Sequence, residues 1–127
     1  MIYLDTSAFV KTVWREAESG ALAMQIGDAE TVSSALLSVE ARRSTLRAGE
    51  HLMPRTDLLL EDMTLVELTP RLLESAGRLP DRALRSLDAI HIATALLLRS
   101  ELDVLISYDR RVLSAAAAQG LPTAAPA

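Results

Sequence analysis

Four acidic residues, Asp5, Glu40, Asp88 and Asp109, stand at or just beyond points where an apolar run gives way to a segment of helical spacing. Asp5 directly follows the run Met1–Leu4, and Asp109 follows the run Asp103–Ser107 by two residues. Glu40 and Asp88 each lie near the start of a helical segment. Hydroxyls accompany them: Thr6 and Ser7 beside Asp5, and Ser107 close to Asp109. Carboxylates gathered in one cleft raise one another's pKa and destabilise the fold, a cost that divalent cations remove. Cations so held activate water, orient a phosphate and neutralise charge on attacking and leaving oxygens. The chain has no cysteine and two histidines. Thiolate metal sites, disulfides and a cysteine nucleophile are thereby excluded together, and oxygen ligands favour hard ions such as magnesium or manganese.

Each residue also has an ordinary reading. An Asp after a strand is usually a turn former or N-cap, and this covers both Asp5 and Asp109. Glu40, near Arg42 and Arg43, could be half of a solvated ion pair. Asp88 could simply complement a helix dipole. The hydroxyls of Thr6, Ser7 and Ser107 are as well suited to capping as to a site. His91, three residues after Asp88, could complete a metal pair, but its flanks Ile90 and Ile92 point to a packed, hydrogen-bonded histidine outside the metal shell.

The elements that position these groups follow from periodicity. Met1–Leu4 reads as a strand, with Asp5-Thr6-Ser7 opening a helix over Ala8–Trp14. The order repeats at Thr31–Ser34, leading into a helix over Leu36–Ala48, where Leu36, Val39, Arg43 and Leu46 share a helical spacing and Gly49 supplies the stop. A helical segment begun after Pro54 runs through Leu58–Leu60. Leu65–Leu68 suggests a third strand, with Thr69-Pro70 at a helix start. Ser86–Leu98 is predicted as a helix with Leu87, Ile90, Ala93 or Thr94, and Leu97 on one face. Asp103–Ser107 reads as a buried fourth strand before a last helix through Ala118, ended by Gly120 and Pro122. The tail Thr123–Ala127 is a frayed end or a weak edge strand. Alternation of this kind implies a mostly parallel sheet with helices on both faces, and functional groups of such sheets collect beyond the carboxyl ends of the strands.

The chain of 127 residues is half hydrophobic, enough for one core, so a single domain over 1–127 is expected. No run approaches the roughly 20 apolar residues of a membrane span, and no export signal follows Met1, so a soluble, cytoplasmic protein without membrane contact is expected. The net charge of -4, from 17 acidic and 13 basic residues, at first opposes a nucleic-acid partner. Setting the four carboxylates aside leaves 13 acidic against 13 basic residues, and Lys11 is the only lysine. The guanidinium fork of arginine suits phosphate oxygens. Arg42, Arg43, Arg47, Arg82 and Arg85 are candidate phosphate or partner contacts, set against the commoner role of a solvated helix face.

Four stretches carry a resemblance: Ile2–Lys11 (IYLDTSAFVK), Ser34–Arg42 (SALLSVEAR), Leu87–Leu96 (LDAIHIATAL) and Leu105–Leu113 (LISYDRRVL). In this order they closely resemble the PIN-domain family and, more narrowly, the VapC ribonuclease toxins of prokaryotic toxin-antitoxin pairs. The resemblance spans nearly the whole chain. It implies a three-layer α/β/α sandwich around a short, mostly parallel sheet. It also implies that Asp5, Glu40, Asp88 and Asp109 are catalytic, metal-binding acids, with Asp5 and Asp88 the principal ligands of Mg2+, for which Mn2+ substitutes, and Thr6, Ser7 and Ser107 accessory. The implied activity is endonucleolytic hydrolysis of RNA by metal-activated water. The implied partners are the RNA substrate, a second copy in a homodimer, and a VapB-like antitoxin that reaches the metal site. Pro54–Arg85 carries no sharp signature, and substrate and antitoxin specificity is expected there.

Three rival readings remain. A haloacid-dehalogenase-like phosphatase would want a second Asp two residues after Asp5, where Ser7 stands. A receiver domain would want an acidic pair before its phosphorylated Asp and a lysine near the end, and Lys11 is misplaced for that. A PIN-like module that binds RNA or a partner without cutting has no reason to keep so many unpaired acids together.

Overall fold

In the computed structural model, which describes all 127 residues, five short strands form one parallel sheet in the order β3-β2-β1-β4-β5. They are β1 (Ile2–Leu4), β2 (Thr31–Ser34), β3 (Thr64–Val66), β4 (Val104–Ile106) and β5 (Thr123–Ala124). Seven helices connect or follow them: α1 (Thr6–Val13), α2 (Ser19–Ile26), α3 (Leu37–Ala48), α4 (Met53–Glu61), α5 (Pro70–Gly77), α6 (Ser86–Leu97) and α7 (Arg110–Ala118). The tail takes the edge-strand alternative, β5 pairing parallel with β4 after Gly120, whose positive φ of 82° turns the chain out of α7.

Strand alternation divides the core into two layers. Tyr3, Val32 and Leu105 face Ile92 and Ala95 of α6 and Val112, Ala115 and Ala116 of α7. Ile2, Leu4 and Ile106 face the opposite way, onto Ala8 of α1 and Leu22 of α2. Phe9 and Val13 of α1 continue this second layer against Leu37 and Ala41 of α3 and Leu60 of α4. α5 packs on α6 through Leu72 and Ala76 against Ala89 and Ala93. The result is the expected three-layer α/β/α sandwich, with every strand pair parallel.

Local signals placed the helix starts well. Asp5 caps α1 by accepting from the Ala8 amide, Thr69 caps α5 by accepting from the Leu72 amide, and Asp109 caps α7 by accepting from the Arg111 amide. Other expectations need correction. The α4 segment begins at Met53, so Pro54 lies within its first turn rather than before it, where its missing N–H is harmless. The third strand is Thr64–Val66, and Glu67 and Leu68 lie beyond it. α2 has no counterpart in the periodic reading, because it is only eight residues long and buries a single side chain, Leu22.

The buried faces of two helices also differ from expectation. In α3 the buried residues are Leu37, Ala41 and Thr45, while Val39 is 60% exposed and Leu46 is exposed. In α6 they are Ala89 and His91–Ala95, while Leu87 is exposed and Leu97 is 65% exposed. Small residues let these helices approach the sheet and their neighbours closely, so the inward face is set by Ala, Thr and His rather than by the largest apolar side chains.

The two faces of α3 differ accordingly in energetic weight. Leu37→Ala should lower the unfolding free energy by about 2–5 kcal/mol, whereas Val39→Ala should change it by no more than about 0.5 kcal/mol. Urea unfolding of both variants checks this, and equal effects would restore the face inferred from periodicity.

Candidate active site

β1 and β4 are neighbours at the centre of the sheet, and the strand order reverses between them. In open parallel sheets this is where a crevice opens beyond the carboxyl ends of the strands. Asp5 leaves β1 there, and Ser107 and Asp109 leave β4. Glu40 in the first turn of α3 and Asp88 in the first turn of α6 complete the set.

Asp5 is the most constrained of these groups, with only 4% of its surface exposed. Its Oδ1 accepts from Ser7 Oγ at 2.6 Å and from the Ala8 amide at 3.0 Å, and its Oδ2 accepts from Ser107 Oγ at 2.5 Å. Burial pushes the carboxyl above its ordinary range, and the bonds from Ser107 and Ser7 oppose that shift without cancelling it. Each serine has one proton, and both protons are directed at Asp5. The 3.3 Å contact between the two hydroxyls therefore carries no proton of its own. The same hydroxyls accept backbone amides, Ser7 from Tyr108 and Ser107 from Asp109. Asp5 is thereby tied through Ser7 and Ser107 to the chain that carries Asp109.

Glu40 is held differently. Its Oε1 accepts from Thr6 Oγ1 at 2.6 Å and lies 2.7 Å from His91 Nε2. Burial pushes Glu40 upward, but hydrogen bonding from His91 and Thr6 outweighs this and leaves the carboxyl below its ordinary range. Asp88 has no such support. Partial burial raises its pKa, the charges of Asp109, Asp5 and Glu40 raise it further, and His91 offsets only part of that rise. That mutual repulsion is the electrostatic signature of four acids facing one cleft.

No three acidic or histidine side chains close around a single point as a ready-made metal cage. The donor set nonetheless fits a hard divalent cation, since it offers carboxylate oxygens only and leaves the Asp88 carboxylate without a hydrogen-bond donor. Magnesium is characteristically held by one or two carboxylates, with water and substrate phosphate filling its other positions, so a closed cage is not required.

A family model described as PIN domain matches residues 2–118. The chain belongs to the PIN-domain family. At 41% identity over 126 residues, this PIN domain is similar to Ribonuclease VapC46 of Mycobacterium tuberculosis, the match covering 98% of this chain and 97% of that protein. It is 39% identical over 131 residues to Ribonuclease VapC35 of the same species, covering 99% and 97%. Its fold superposes with a TM-score of 0.70 on a chain of a toxin-antitoxin complex from Klebsiella pneumoniae, at 20% identity, covering 90% of this chain and 91% of that one. Membership in this family displaces the haloacid-dehalogenase and receiver readings.

The structure brings the seven residues singled out from the sequence together: Ser7 and Ser107 bond Asp5, Thr6 bonds Glu40, and Asp88 feels the charges of Asp109, Asp5 and Glu40. His91 is the packed, hydrogen-bonded histidine expected, 2% exposed. Sequence reasoning does not single out Tyr3 as a polar participant, because it sits within the apolar run of β1. The available signal was alternation, which sends Tyr3 to the face opposite Ile2 and Leu4, toward α6 and His91. Arg42 is engaged on the surface with Asp57 at 2.9 Å and Arg47 with Ser44, while Arg43, Arg82 and Arg85 are exposed.

Repulsion at Asp88 predicts that Asp88→Asn will raise the thermal midpoint of the metal-free protein slightly, by no more than about 1 kcal/mol of stability given its partial exposure. Differential scanning calorimetry in the presence of a chelator checks the sign; a lower midpoint would mean that Asp88 is held by favourable contacts instead.

Proposed function

We propose that this PIN domain, acting as a single unit over 1–127, is an endoribonuclease and the toxin of a type II toxin-antitoxin pair. The carrying observation is the convergence of Asp5, Glu40, Asp88 and Asp109 at the carboxyl ends of β1 and β4 in a chain with ribonuclease relatives of matching length. Asp5 and Asp88 hold the cation, Mg2+ or Mn2+, with Glu40 and Asp109 binding it directly or through water. When bound, the cation activates water for attack on an RNA phosphodiester and stabilises the developing charge.

The chain's own contribution is orientation. Ser7 and Ser107 fix both oxygens of Asp5, and Thr6 and His91 fix one oxygen of Glu40. The Ser7 and Ser107 hydroxyls serve to hold Asp5, and with water as the attacking group no protein nucleophile is needed. The partners are RNA, a VapB-like antitoxin and a second copy of the chain, and the compartment is the cytoplasm. No helix is long and apolar enough to cross a membrane.

Metal-ion catalysis contributes several kcal/mol of charge stabilisation, so Asp5→Asn and Asp88→Asn should each lower RNA cleavage roughly a hundredfold or more. Circular dichroism should show both variants folded. Chelation should stop cleavage by the wild-type chain, and added Mg2+ or Mn2+ should restore it. Undiminished cleavage by both folded variants would exclude this function.

A further inference from the structure

Three side chains from three elements form an unbroken polar line through the core beside the site. The Tyr3 hydroxyl on β1 lies 2.7 Å from His91 Nδ1, and His91 Nε2 lies 2.7 Å from Glu40 Oε1. Tyr3 is fully buried, and its ring meets the imidazole edge-on at 85°, with centroids 5.8 Å apart. The imidazole is therefore clamped between a phenol and a carboxylate with little freedom to turn. A ring protonated on Nδ1 alone would set the Nε2 lone pair against the Glu40 carboxylate. A phenol donating to Nδ1 selects against that tautomer and leaves Nε2–H donating to Glu40.

The two donors to Glu40 arrive on the same atom. Thr6 Oγ1 and His91 Nε2 both bond Oε1, and no protein group bonds Oε2. Ser33 Oγ is the only buried side-chain polar atom without a partner, so Oε2 reaches solvent. One donor would leave the carboxylate free to pivot about its last bond. Two donors from different helices fix its plane, with Oε2 as the oxygen available outside.

We propose that Tyr3 and His91 are positioning residues that lock Glu40 so that it presents Oε2 alone to the cation site. This rests on the reading that the four acids hold a divalent cation. Neither Tyr3 nor His91 touches substrate or metal in this scheme. Both act through Glu40, as outer partners orient the groups that bind metals elsewhere.

The test measures Mn2+ binding to the full-length, RNA-free chain by calorimetry, alongside steady-state RNA cleavage. His91→Leu should weaken Mn2+ binding about 10–100-fold, and it should lower kcat with little change in KM. His91→Gln, whose amide N–H can reach Oε1, should recover most of the loss. Tyr3→Phe, which removes one hydroxyl, should weaken binding in the same direction and carries the test if His91→Leu does not fold. In a Glu40→Gln chain neither substitution should weaken binding further, because the group they act through is already altered. Folded variants with wild-type Mn2+ affinity, or an equal loss in the Glu40→Gln chain, would overturn the proposal. If Glu40→Gln weakens binding but the Tyr3 and His91 variants do not, this inference alone is wrong. A wild-type chain that binds no Mn2+ overturns it together with the proposed function.

Discussion

Placing a carboxylate out of water at the end of a central strand is unfavourable unless its oxygens are answered, and Asp5 imposes that requirement on everything around it. Its three hydrogen bonds come from an amide and a hydroxyl of α1 and from a hydroxyl that follows β4. Satisfying Asp5 thus requires β1 and β4 to be adjacent and parallel, α1 to start at once after β1, and Ser107 to turn back toward the crevice. The same bonds place Asp109 beyond Ser107 and open the cleft that Glu40 and Asp88 border. A group whose charged form is disfavoured by burial stays useful as a ligand only where an external positive charge can complete the set.

The four acids are not equivalent within that frame. Asp5 is immobilised through both oxygens, Glu40 through one, and Asp109 accepts the Arg111 amide as the cap of α7. Asp88 has repulsion and no compensating bond, which makes it the acid most dependent on a cation. Elsewhere a minority of the charges are paired: Lys11 bridges Glu16 and Glu18 and lies 4.8 Å from the Tyr108 ring centroid, and Arg42 meets Asp57.

Much of this was legible in the sequence because it is local. Asp5, Thr69 and Asp109 are caps, and caps announce helix starts within three residues. Strand and helix order then placed Asp5 and Asp109 at one edge of a parallel sheet, and the four family-like stretches singled out Glu40 and Asp88. The faces of α3 and α6 were not legible, because apolar residues lie on both sides of each helix and inward packing favoured Ala, Thr and His over Val39, Leu46, Leu87 and Leu97. The link from Tyr3 to His91 spans 88 residues, and no local pattern encodes it. His91 could be judged packed from its isoleucine neighbours, but what it packs against is a property of the assembled sheet.

The claim that these acids form a cation site is tested most directly by a crystal structure of the chain grown with Mn2+ and measured for anomalous scattering. A peak lying between the carboxylates of Asp5 and Asp88, with Glu40 approaching through Oε2, is the predicted result. A saturated crystal with no peak in the cleft, or with Mn2+ bound only at surface acids such as Glu16 and Glu18, would contradict it.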